Sequence, residues 1–253
     1  MTVIRGFNRV KYLGVSLLIL FFVWYILAVI ISSVILPKPL QVLKVFLDLF
    51  LSGQIFTHIY ASVKRNIIGF LVALVMGSGT AYVLGLSKKL EPYITPIFEL
   101  LRPIPPIAWI PLAILWFGIG DNSSYFIIFV AAFFPIFTNV YFGVRSVPNK
   151  FIRLRQGYKL NGFQNFVHIV FPFSLPYLLT GCKTSIGFAW MAVIAAEIIA
   201  AHSGLGYFIE ISRVLVQTEK VIAVMVVIGI IGYLLHQIVL YVEKRLIYWG
   251  EYD

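Results

Sequence analysis

Two ionisable side chains, Lys183 and Glu197, lie deep in an otherwise uncharged run, TGCKTSIGFAWMAVIAAEIIA. Trp190 falls midway between them. A spacing of seven puts all three on one face of a helix. A charge held at membrane depth costs at least ~2.5 kcal/mol on insertion scales, so such residues mark a function or a specific partner. Lys183 is too deep for easy escape to the inner side; it either borders a pathway, or snorkels or pairs with a carbonyl freed by the prolines of the third span. Glu197 lies near the outer end, where it can meet water. Arg102 stands in a different setting, ELLRPIPPIAWIP, beside Pro103, Pro105, Pro106 and Pro111. Prolines this dense forbid a regular helix through Arg102–Pro111. Broken backbone at membrane depth is tolerated only inside protein or beside a water-filled cavity. Arg102, Pro105, Pro106, Lys183, Trp190 and Glu197 are therefore the candidate residues of a translocation path.

The elements that must position them follow from composition. Of 253 residues, 60% are hydrophobic and only 12% charged, against about 25% charged in soluble domains. With a mean hydropathy of +0.95, the chain reads as an all-α integral membrane protein. Its net charge of +10 then suits cytoplasmic loops facing anionic lipid rather than nucleic acid. The sequence lacks a GxxxxGK[ST] phosphate loop, HExxH, CxxC and GxSxG; its four histidines are scattered and Cys182 is the single cysteine. No metal or cofactor site and no catalysis are expected of this chain.

Six spans are expected, at about 12–36, 63–86, 93–118, 124–144, 177–200 and 221–241. Between the first two, Leu40–Ser52 reads as a short amphipathic helix in the outer interface. In the second span Gly69, Ala73, Gly77, Ala81 and Gly85 recur at every fourth position. That stripe admits close approach of another helix, as a bundle seam or a dimer seam. Residues 1–62 thus form an N-terminal span with an outer helix, and 63–253 a core of five spans.

The stretch 145–176 carries Arg145, Lys150, Arg153, Arg155 and Lys159 without an acid. Placing basic loops inside puts this stretch and both termini in the cytoplasm. One or two short helices lying under the membrane are expected between Asn149 and Phe166, stopped by Pro172 and Pro176.

Three phrases, LLRPIPPIAWIPLAILWFGIGD, FFPIFTNVYFGVRSVP and FPFSLPYLLTGCKTSIGFAWMAVIAAEIIAAHSGLGY, resemble the permeases of bacterial ABC importers, in the branch serving sulfonates, taurine, nitrate and related solutes. The likeness covers nearly the whole chain from Pro37 onward. It implies the type I importer permease bundle in the inner membrane and import of a small anionic solute such as a sulfonate, taurine, nitrate or bicarbonate. The implied partners are cytoplasmic ATPases carrying ATP and Mg, a periplasmic or lipid-anchored solute-binding protein, and a second permease, a homodimer being favoured over a heterodimer. It also implies a coupling helix in the 145–176 loop, with Phe151, Arg153, Leu154, Arg155, Lys159, Gly162 and Phe163 as candidate ATPase contacts. There the family's Glu-Ala-Ala becomes Arg153, Leu154 and Arg155, and its glycine becomes Lys159, although glycine would suit a positive φ. The competing class is an ion-gradient-driven secondary transporter, which is expected to carry an acidic or histidine relay deep in the membrane.

Overall fold

A computed structural model describes residues 2–31, 35–148, 150–151 and 158–247; side chains are described from Tyr12 onward, except those of 13 and 17. The elements are α1 (Thr2–Ile30), α2 (Pro39–Leu51), α3 (Gln54–Leu86), α4 (Glu91–Leu101), a 3-10 turn (Pro106–Trp109) leading into α5 (Ile110–Phe117), α6 (Asp121–Arg145), α7 (Gly162–Ala200), α8 (Leu205–Val214) and α9 (Thr218–Leu246). Four of them, α3, α6, α7 and α9, are long and apolar enough to cross a membrane. The segments Glu91–Leu101 and Pro106–Phe117 pass that test together, bent by 93° at their break. The dense prolines are the cause: α4 ends at Leu101, and the chain leaves the helix before Pro106 restarts it.

The small-residue stripe has its partner within the chain. A Cβ on Gly69 would lie 2.6 Å from Ile128, one on Gly77 3.3 Å from Ile136, and one on Gly85 2.7 Å from Val144. Ala73 and Ala81 are fully buried in the same seam. Each pair keeps the same sequence offset, so α3 and α6 run parallel in fixed register. On the other side of α6, Gly181 meets Ile136 and Asn139, and Gly143 meets Tyr177. Those pairs close in the opposite sense, so α7 is antiparallel to α6. The centre of the core is accordingly α6, where Ile128, Ala132, Ile136 and Val140 are fully buried. Small residues carry both seams because lipid offers no hydrophobic drive, and close backbone approach supplies the van der Waals contact instead.

Several boundaries differ from the sequence reading. Helix α3 begins at Gln54, well before the expected 63. Pro172 and Pro176 do not stop a helix: the chain is helical from Gly162 through Ala200. A π-turn at Phe166–Val170 ends two residues before Pro172, and such a wide turn absorbs the ring and the missing N–H that would break a regular helix. Between the spans expected at 177–200 and 221–241 lies α8, whose Leu205, Gly206, Phe208 and Ser212 are buried. In α2 the buried residues are Pro39, Val42 and Leu49, while Leu43 and Leu47 remain half exposed. That helix therefore packs one face against the protein and leaves the other exposed.

Candidate functional site

The candidate path residues separate into three places. Arg102 and Pro106 come together with Thr138 and Asn139 of α6 and Thr184 and Phe188 of α7 around a cavity of about 280 Å³. Pro105 lies in the break itself. Lys183 and Trp190 point elsewhere, to α9. The Lys183 Nζ donates to both carboxylate oxygens of Glu243 at 2.8 Å. Trp190 Nε1 donates to the Ile228 carbonyl at 3.1 Å, over Gly232, where a Cβ would meet the indole at 2.8 Å. At 100° per residue, Thr184 and Phe188 stand roughly 120° from Lys183 and Trp190 on the same helix. The partner of Lys183 is thus a carboxylate of the last helix, not a carbonyl freed by the prolines.

Glu197 does not meet water at the outer end; it is fully buried. Its Oε2 accepts from Ser62 Oγ at 2.7 Å and from the Gly206 N–H at 2.9 Å, and its Oε1 accepts from Arg65 Nη1 at 2.8 Å. Arg65, 4% exposed, also donates from Nε to Asp121 Oδ1 at 2.8 Å and from Nη2 to Ser203 Oγ at 2.8 Å. Leu205 N–H donates to Ser62 Oγ at 2.8 Å, and Gly204 N–H to His58 Nδ1 at 3.2 Å. The first turns of α3 and α6 and the last turn of α7 are tied by this latch to the start of α8. Gly204, at φ 109°, has no room for a Cβ beside the Glu197 carboxyl, and Gly206 has none beside the Ile194 carbonyl. Arg65, Ser62, Asp121 and Ser203 are not among the candidate residues read from the sequence. The available signal was that Glu197, an acid within an apolar run, needs a cation, with Arg65 near the outer end of another span.

Glu210 and Arg213 on α8 form an exposed pair, and the guanidinium holds the Glu210 carboxyl below its ordinary range. On the opposite side of the bundle, Glu91 accepts from Tyr141 and pairs with Arg145 at 3.0 Å.

Of the candidate ATPase contacts, Arg153, Leu154 and Arg155 lie outside the described residues. Phe151 packs its ring 6.1 Å from Phe173 and lines a cavity of about 360 Å³ with Gly85, Arg145 and Asn165. Phe163 is 75% exposed. Gly162 opens α7, where Asn161 Oδ1 accepts from the Gln164 N–H and the Gln164 side chain answers to the Asn161 N–H. Lys159 adopts φ +50°. The position where the family has glycine therefore does take a left-handed backbone, and a lysine supplies it at a cost of about 1–2 kcal/mol. Gly162 does not take over that role.

Parallel and antiparallel apolar helices packed through small residues, with a broken segment beside a cavity of mixed polarity, make this a helical membrane-protein bundle. The model for the binding-protein-dependent transport system inner membrane component family matches residues 66–248, and the chain belongs to that family. It is 34% identical to the taurine transport system permease protein of Escherichia coli, over 93% of this chain and 89% of that one. It is likewise 34% identical to a putative aliphatic sulfonates transport permease protein of Bacillus subtilis, over 87% and 80%. A structure of the methionine ABC transporter MetNI, in an inward-facing conformation, superposes with a TM-score of 0.68 at 16% identity, covering 77% of this chain and 98% of the other. The fold is that of the type I importer permease.

Proposed function

We propose that this chain is the translocation-pathway subunit of an ATP-driven importer for a small sulfonate-type anion. The observation that carries the reading is the family match over residues 66–248, and the relatives named for taurine and aliphatic sulfonates support the solute class. In this reading both termini are cytoplasmic and six spans cross the inner membrane, α1 and the bent α4–α5 pair completing the count. The parallel run of α3 with α6 and the antiparallel run of α7 fit such alternate crossing. The partners are cytoplasmic ABC ATPases, which bind ATP and Mg, a solute-binding protein on the outer side, and a second permease subunit, most simply a second copy.

Transport proceeds by alternating access. ATP closes the ATPase pair, the 150–166 segment moves with it, and the spans rock to open the path outward; hydrolysis returns them inward. Phe163, exposed at the start of α7, is the side chain best placed to meet the ATPase.

Proteoliposomes containing the permease, its ATPase and its binding protein should accumulate radiolabelled taurine or an alkanesulfonate only with internal ATP and Mg. Uptake should persist when ionophores collapse ion gradients. Uptake that survives omission of the ATPase and disappears with ionophores would replace this reading with an ion-gradient-driven carrier.

A further inference from the structure

Arg65, Arg102 and Lys183, three basic residues within or beside the membrane helices, are not equivalent. Arg65 is held by Glu197 and Asp121, and Lys183 by Glu243. Arg102 has no ion pair or side-chain hydrogen bond among the described residues. Glu99 lines a smaller pocket of about 70 Å³ that adjoins Arg102, yet no salt bridge joins the two. Arg102 is exposed and lines the cavity, so its guanidinium is free to take an anion that enters, by a charge-assisted contact.

The cavity is furnished for such a visitor. Thr138 and Asn139 reach it from α6 and Thr184 from α7. Asn139 Nδ2 donates to the Pro135 carbonyl at 2.8 Å, which fixes the amide and leaves its Oδ1, like the Thr138 hydroxyl, without a partner among the described residues. The rings of Phe134 and Phe188, one turn along α6 and α7 from Thr138 and Thr184, also line it. A volume of about 280 Å³ lies at the small end of ligand pockets, which run to about 300–1,000 Å³.

We propose that this cavity is a solute-selective station for a small oxyanion bearing a short apolar tail. Arg102 takes the oxyanion, Thr138 and Thr184 flank it, and Phe134 and Phe188 receive the tail. Selection is then exercised within the membrane and favours organic sulfonates over bare inorganic anions. This rests on the importer reading for its solute class and adds to it a defined site.

The test uses the full-length chain purified in a maltoside detergent, with 1-butanesulfonate as probe and thermal unfolding as readout. Butanesulfonate should raise the melting temperature saturably in the wild type. Half-saturation should shift upward about tenfold in Arg102→Gln, as expected for loss of one charge-assisted contact. Thr184→Leu, which fills the facing wall, should abolish the effect and serves if Arg102→Gln fails to fold. Sodium sulfate at matched ionic strength should stabilise less. Unshifted half-saturation in both variants, equal potency of sulfate, or no saturable effect in the wild type would each overturn the site. The two readings fail separately. Wild-type rates of ATP-driven sulfonate uptake by Arg102→Gln would remove the site and leave the importer. Arg102-dependent binding in a chain that supports no ATP-driven uptake would do the reverse.

Discussion

Replacing Glu197 by Ala should be among the most damaging single changes in this chain. The substitution removes an acceptor from three donors at 2.7–2.9 Å, Ser62 Oγ, Arg65 Nη1 and the Gly206 N–H. It also leaves a 4% exposed guanidinium with only the half-exposed Asp121 as counter-charge. Breaking a buried pair by removing one partner costs about 3–5 kcal/mol. At about 2–4 °C per kcal/mol for a chain of this size, the melting temperature should fall by roughly 6–20 °C. Asp121→Asn, at a site where water already reaches the carboxylate, should cost about 0–1 kcal/mol. The double variant Arg65→Met with Glu197→Leu removes both charges, so its loss should be smaller than the sum of the two single losses by about 1–3 kcal/mol. Melting curves of the detergent-purified wild type, each single variant and the double variant, followed by monodisperse size-exclusion recovery, give these values. A Glu197→Ala protein melting within about 2 °C of wild type, or strictly additive single losses, would refute the latch.

Lys183→Glu sets two carboxylates against each other at the α7–α9 seam and should cut transport while assembly persists; the swap Lys183→Glu with Glu243→Lys should restore it, and failure to do so would deny the pairing. Gly69→Val and Gly85→Val should lower the yield of folded protein, because Ile128 and Val144 already occupy the space, whereas Gly79→Ala, which meets nothing within 4 Å, should be silent in the same expression assay. Lys159→Gly should be neutral or stabilising by about 1 kcal/mol, since it relieves a left-handed backbone, while Lys159→Val should destabilise by more; equal melting of the two would contradict the φ of +50°. Phe163→Ala should weaken pull-down of the ATPase without affecting membrane insertion, and full-strength recovery would exclude that docking surface.

The amino-acid sequence by itself determined the features that act over one or two turns. Uncharged runs of spanning length declare apolar helices whatever surrounds them, and the prolines from Pro103 to Pro111 break their own backbone wherever the segment lies. The four-residue stripe in α3 likewise announces close packing, since any partner must fill the same groove. Local rules failed where a neighbour or an adjustment in the backbone could compensate. Pro172 reads as a stop, but the π-turn before it carries the helix through. Lys159 reads as unfit for a glycine position, yet the chain holds it there. Only the tertiary structure decided which groups meet. Lys183, Trp190 and Glu197 share a face by spacing, but that face turns to Glu243, the Ile228 carbonyl and Arg65, partners between 38 and 132 residues away in sequence. Buried charges seek each other across whatever helices the packing brings together, and register along α6 sets that packing. Arg102 faces the cavity because the 93° bend and the seams of α6 with α3 and α7 leave that space unfilled.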